Sequence, residues 1–296
     1  MGQVENKGRG NMKSPIINKT SELKQMMKER QRKASVLAIT SGKGGVGKTN
    51  MAANLAICMA AAGKRVLLVD ADFSLGNLDV IMNIDNKYNI SHMLNGQKSL
   101  EEIIHVGPEG VAIICGASGL EDLANIGEFQ RQRLLNELAR LQSDNDAIII
   151  DTAAGISKSV VGFCLASDQV LVVTTPEGTA MTDAYAMIKV LACNRYAGKI
   201  SLLVNMADTA VEGRKTYQQV ANVAQRFLGI HVFDAGVVVK DEKLTIAVKQ
   251  RKPVVLAFPK AQITSSLVTL ATKLNNGFAT RHNSEGFFKK VVDWFF

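Results

Sequence analysis

Residues Gly42-Lys43-Gly44-Gly45-Val46-Gly47-Lys48-Thr49 satisfy G-x-x-x-x-G-K-[ST], a spacing with a defined chemistry. The glycines let backbone N–H groups turn inward around a pyrophosphate. Lys48 then reaches the terminal phosphates, and the Thr49 hydroxyl is placed to ligate magnesium. Gly42 to Thr49, with Asn50 at the start of the following helix, are therefore the candidate nucleotide-binding residues. A phosphate loop needs one lysine, and Lys43 is a second.

Two carboxylates complete the candidate chemistry. Val66-Leu67-Leu68-Val69 runs into Asp70-Ala71-Asp72, and Ala147-Ile148-Ile149-Ile150 runs into Asp151-Thr152-Ala153-Ala154-Gly155. An apolar strand ending in Asp is the Walker B arrangement, so Asp151 is the candidate that holds magnesium through water. Asp72 lies at the parallel position on a neighbouring strand and is the candidate to orient or activate the attacking water. Taken singly, either Asp also reads as the cap of the next helix.

The elements that must carry these residues follow from hydrophobic patterning. Apolar runs at Val36–Thr40, Val66–Val69, Val111–Ile114, Ala147–Ile150, Val170–Thr174, Ile200–Val204 and Val232–Val239 do not alternate with polar residues, which suits strands buried on both faces. Helical patterns at Met51–Ala62, Glu128–Leu141, Thr179–Asn194, Gly213–Phe227, Leu244–Lys249 and Gln262–Asn276 supply crossovers. The expected fold is α/β, a doubly wound, mostly parallel sheet with helices on both faces.

At 296 residues and 47% hydrophobic content, the chain can bury one large α/β core. Four cysteines, at 58, 115, 164 and 193, lack metal-ligand spacing and read as reduced packing thiols. There is no apolar run of membrane-span length and no secretory h-region, so a cytoplasmic protein is expected. The net charge of +8 is concentrated in residues 1–33, which hold nine Lys/Arg against three Asp/Glu; the other 263 residues hold 26 against 24. That near-neutral body argues against nucleic acid as a partner. The expected organisation is a basic arm with a short helix over 1–33, a P-loop domain over 34–276, a linker over 277–284 and a terminal helix over 285–296.

On a helical wheel, Phe287, Phe288, Val291, Val292, Trp294, Phe295 and Phe296 share one broad face, with Lys289, Lys290 and Asp293 opposite. Four Phe and the only Trp fall here, in a chain with 5% aromatics. Such a face with flanking lysines suits an amphipathic helix lying in a lipid interface, the alternative being a helix docked on its own domain.

The stretch "KGGVGKT", with a lysine at its head, resembles the deviant Walker A motif of MinD/ParA-type ATPases, and "DADFSLGNLDV" and "DTAAGI" resemble their two switches. The resemblance implies ATP, ADP and Mg2+ as cofactors and a nucleotide-sandwiched homodimer in which the equivalent of Lys43 reaches the partner's phosphates. Lys43, Lys48 and Asp72 are then the catalytic candidates, and Asn205, in "NMAD", a contact to adenine. It also implies a terminal helix that targets the membrane, so the chain would cycle between cytosol and the inner face of the cell membrane. Within that family, "HMLNGQKSLEEIIHVGPEGVAIICGASG", "TDAYAMIKVL" and "VNMADTAVEGRKTYQQVANVAQRFL" are similar to the flagellar-number regulators of the FlhG/FleN subgroup. Partners implied by that subgroup are the GTPase FlhF, flagellar switch-complex proteins or a flagellar transcription activator. Asn18–Lys24 keeps only Leu23 of the subgroup's FlhF-stimulating motif. Two other roles within the family stay open, a division-site regulator and a DNA-partitioning ATPase, as does a binding module that uses nucleotide only to fold.

Overall fold

The computed structural model describes residues 34–72, 76–85, 87–116, 128–277 and 286–295. The expected arm over 1–33 with its short helix, the linker beyond Gly277, residues 73–75 after Asp72, and Phe296 lie outside the described residues.

Eight strands form one sheet in the order β3-β4-β2-β5-β1-β6-β7-β8. They are β1 (Ser35–Ser41), β2 (Val66–Ala71), β3 (His105–Val106), β4 (Ala112–Ile114), β5 (Ala147–Ala154), β6 (Gln169–Thr174), β7 (Lys199–Ala207) and β8 (Phe233–Val239). All pair in parallel except β3, which is antiparallel to β4. The doubly wound expectation holds for a plain reason. Every apolar run but one has strand partners on two sides, and every residue of β1, β2 and β6 is buried; the exception is the run over Val232–Val239, whose strand β8 edges the sheet, pairs only with β7 and is buried at only two of its seven residues.

One face of the sheet is covered by α1 (Lys48–Ala61) and by α11 (Gln262–Gly277), which pack on Leu37, Ile39, Leu68, Ile149 and Leu171. On the other face α5 (Glu128–Asp144) and α6 (Lys158–Ala166) cover Val36, Leu67 and Ile148. Beside them α7 (Gly178–Cys193) and α8 (Ala210–Leu228) cover Val170 and Leu202. Short helices α2 (Leu78–Met82), α3 (Ile90–Leu94), α4 (Leu100–Ile103), α9 (Glu242–Lys249) and α10 (Val254–Ala257) fill the connections. The seven expected strands are all present. The two-residue β3 and the one-turn helices are too short to show a period, and α6 is nearly all apolar, so its sequence has no polar face to mark it.

The terminal segment differs from expectation. It forms α12 (Phe287–Phe295), but the helix does not stand apart from the sheet and its covering helices. Phe287 is 2% exposed and Phe288 8%, and both join Val291 and Val292 in the cluster built on Leu138, Leu141 and Phe163 of α5 and α6. The Phe287 N–H donates to Gln142 Oε1 at 3.0 Å, and Trp294 Nε1 donates to the Lys158 carbonyl at 3.0 Å. Gly162 faces the Trp294 ring so closely that no Cβ would fit. A wheel finds the apolar face of a helix but not what covers it, and here the groove between α5 and α6 does so. Phe295 is in the helix, and its side chain lies outside what the structure describes. Among the described residues no helix is long and apolar enough to cross a membrane.

The cysteines also depart in part from a packing role. Cys115 and Cys164 are buried, and burial pushes both thiols up to about 12, whereas Cys193 is exposed at the end of α7.

Candidate nucleotide-binding site

The phosphate loop leaves β1 at Ser41 and enters α1 at Lys48, at the carboxyl ends of the parallel strands, where doubly wound sheets bind ligands. Gly45 and Gly47 take φ values of +78° and +93°, which a side chain would strain. Gly44 and Gly45 face open space, while Gly47 packs against the Asn205 amide with no room for a Cβ. Gly42 meets the backbone of Asp183 in α7 in the same way. The loop is therefore gripped at both ends and open in the middle, where its amides and the start of α1 present positive potential to an anion.

Lys48 is buried at the base of this cradle. Burial lowers its pKa, and the Asp151 and Asp72 carboxylates oppose that shift. Asp151 is 2% exposed and lies in register with Ile39 of β1 and with Asp70 of β2. Burial pushes the Asp151 carboxyl up to about 7. The Asp70 and Asp72 charges add to the rise, and a bond from Thr49 and the Lys48 charge work against it. Its Oδ1 is buried with no hydrogen-bond partner. A buried ammonium and a half-satisfied buried carboxylate beside a hydroxyl are the donor set that a phosphate and a hard divalent cation would complete. The residues present fit ATP or ADP with Mg2+. Among the described residues there is no group of three or more His, Cys, Asp or Glu side chains that could hold a metal ion by itself.

Asp72, half-buried, follows directly on β2, and its N–H donates to Asp70 Oδ1 at 3.0 Å. Asp70, outside the candidates that the sequence motifs mark, is the residue opposite Asp151. Burial first, then the Asp72 charge, push it up to about 6, against bonds from the Asp72 and Leu78 backbone. The signal was available: an Asp inside a run otherwise apolar from Val66 to Ala71.

Lys43 Nζ donates to Glu177 Oε2 at 2.7 Å. Asn50 sits in the first turn of α1, half-buried, and its carbonyl accepts from Asn54. Asn205, expected at the base, is buried, and its Nδ2 donates to the Val46 carbonyl at 2.8 Å. Its contact is with the phosphate loop itself. Asp208, at the position that would read guanine in an N-K-x-D box, is paired with Lys240 at 2.8 Å. The site thus brings together Gly42 to Asn50, Asp72, Asp151 and Asn205, while Phe287, Phe288 and Trp294 lie elsewhere, against α5 and α6.

The segment after Asp151 leads directly to those helices. Thr152 Oγ1 donates to the Ile39 carbonyl at 3.1 Å and the Gly155 N–H to the Ser41 carbonyl at 2.8 Å, tying the end of β5 to the root of the phosphate loop. Ser157 then caps α6, the helix that Trp294 covers.

Comparison with known proteins agrees with this geometry. Residues 34–201 match a family described as an AAA domain. The chain is 36% identical over 241 residues to the antiactivator FleN of Pseudomonas aeruginosa, covering 81% of this chain and 86% of that one. It is also 36% identical over 265 residues to the flagellum site-determining protein YlxH of Helicobacter pylori, covering 87% and 90%. The MinC:MinD cell division protein complex of Aquifex aeolicus contains a chain of the same fold. Its TM-score is 0.67 at 25% identity, with 86% of this chain and 100% of that chain covered.

Proposed function

The chain belongs to the MinD/ParA-type P-loop ATPases, close to the FlhG/FleN regulators, and from that premise we propose that it sets flagellar number or placement as an ATP-driven dimeric switch on the membrane. Its reaction is hydrolysis of ATP to ADP, with Mg2+ as the metal. When bound, the metal offsets charge on the transferring phosphoryl group. The chain's own residues do the rest. The loop amides and Lys48 would hold the phosphates, Thr49 and Asp151 would hold the cation, and Asp72 would orient the attacking water. Lys43 reaches the nucleotide of a second copy and completes its site, following the logic of an arginine finger.

One observation carries the membrane half of this reading. The apolar face of α12 rests on α6, only a few residues beyond the Asp151–Gly155 segment that is bonded to the root of the phosphate loop. A shift of that segment would disturb the seat of α12 and free an aromatic, lysine-flanked face for the lipid interface. Two such helices on one dimer would hold a membrane far more tightly than one, by effective concentration. The FlhF GTPase, switch-complex proteins and a transcription activator are the candidate clients.

Co-sedimentation with anionic liposomes tests this reading, together with light scattering, each with ATP, with ADP and without nucleotide. Lipid binding and dimerisation that rise together only in ATP are the expected result. An ATP dimer that retards DNA and ignores liposomes would move the protein to the DNA-partitioning role.

A further inference from the structure

Lys43 is already engaged within its own chain. Its Nζ donates to Glu177 Oε2 at 2.7 Å and to Thr179 Oγ1 at 3.1 Å, and both partners sit at the start of α7. Glu177 occupies the N-cap position of α7, yet its carboxylate makes no capping bond. It turns to the lysine instead, and the Lys43 ammonium holds the Glu177 carboxyl below its ordinary range, with Lys240 adding to the effect. The backbone enforces the meeting, because Gly42 is packed against Asp183, in the second turn of the same helix. Neither side chain is buried: Lys43 is 40% exposed and Glu177 66%. The ammonium therefore stands on the nucleotide face with its donors directed at its own α7.

We propose that Glu177, supported by Thr179, is a positioning residue that holds Lys43 in cis and so sets the threshold for dimerisation. This rests on the reading that Lys43 acts on the partner's nucleotide. To do so, Lys43 must leave Glu177, and a two-fold dimer breaks two such contacts. An exposed ion pair is weak, so each contact acts as a bias rather than a lock, about two- to five-fold per subunit. Because both contacts break together, the dimer dissociation constant carries roughly the square of that factor, about 4- to 25-fold. The pair keeps an unpaired chain from presenting its lysine to every nucleotide it meets, while costing little once two ATP-loaded copies dock.

The test is sedimentation equilibrium with Mg2+ and a non-hydrolysable ATP analogue. Glu177→Gln keeps the side-chain shape and removes the charge; its dimer should tighten by about 4- to 25-fold, with monomer nucleotide affinity unchanged. Glu177→Asp, which keeps the charge, should remain nearer the parent protein, and Thr179→Val should shift in the direction of Glu177→Gln by less. Combined with Lys43→Ala, Glu177→Gln should have no effect of its own. A Glu177→Gln dimer that is weaker than or equal to the parent overturns the proposal. Lys43→Ala alone separates the two levels. If it dimerises normally, the trans role of Lys43 fails. If it does not dimerise and Glu177→Gln is silent, only the cis hold fails.

Discussion

Trp294 lies on Gly162, with its indole N–H on the Lys158 carbonyl, so the single tryptophan of the chain reports on the seat of the terminal helix. Any side chain at 162 would collide with that ring. Gly162→Ala should loosen α12 and raise liposome binding several-fold in the absence of nucleotide, accompanied by a shift in tryptophan emission. Unchanged sedimentation in that variant would mean that the docked helix is not what limits lipid binding.

Phe288 serves two environments with one face. Phe288→Glu removes buried aromatic area and would force a carboxylate into the cluster with Leu141 and Phe163. Because α12 ends the described chain, it can detach without unfolding the sheet, so the loss is limited to the docking energy. The expected outcome is a melting temperature lower by several degrees, loss of amide protection in α12, and loss of liposome binding. Retained lipid binding would separate the lipid-binding surface from the docked face.

Asp70 and Asp151 face each other across β2 and β5, and burial raises both above the usual carboxylate range, to about 6 and about 7. A group whose pKa rises on folding favours the folded state when protonated. Its contribution is complete below about pH 4 and is lost as the pH climbs through about 6 to 7. The nucleotide-free protein should therefore melt several degrees lower at pH 8 than at pH 5, and Asp151→Asn should flatten that dependence. Thermal unfolding at the two pH values decides it; a slope unaltered by the substitution would remove Asp151 as its source.

Asp72→Ala leaves the cradle, Lys48 and Asp151 in place and removes the group assigned to the water. Nucleotide binding should persist while turnover falls by about two orders of magnitude or more, and the ATP dimer should accumulate. Scattering of a monomer in ATP would move Asp72 from the chemistry to the structure of the segment it begins.

The sheet was legible because its interior strands are apolar on both faces, a pattern that needs no knowledge of neighbours. Likewise the phosphate loop, Asp72 and Asp151 could be named from spacing, since backbone geometry at strand ends fixes where such residues emerge. What stayed hidden depends on pairing. Asp70 matters because it stands opposite Asp151, and strand order decides that. Asn205 turns to Val46, and Lys43 to Glu177, through contacts 159 and 134 residues apart in sequence. For α12, amphipathicity marked the face, but both a lipid surface and the groove between α5 and α6 satisfy the same wheel.

The grip on the phosphate loop has one further consequence. With Gly42 held on Asp183 and Gly47 on Asn205, the loop is a socket built before its occupant arrives. A socket already in shape gives up little affinity to ordering itself. By the same token it is a poor messenger, since a part that keeps one shape full or empty has nothing to tell the rest of the molecule. News of occupancy has to leave by the segments after β2 and β5, so variants that alter what the protein does without altering what it binds should concentrate there.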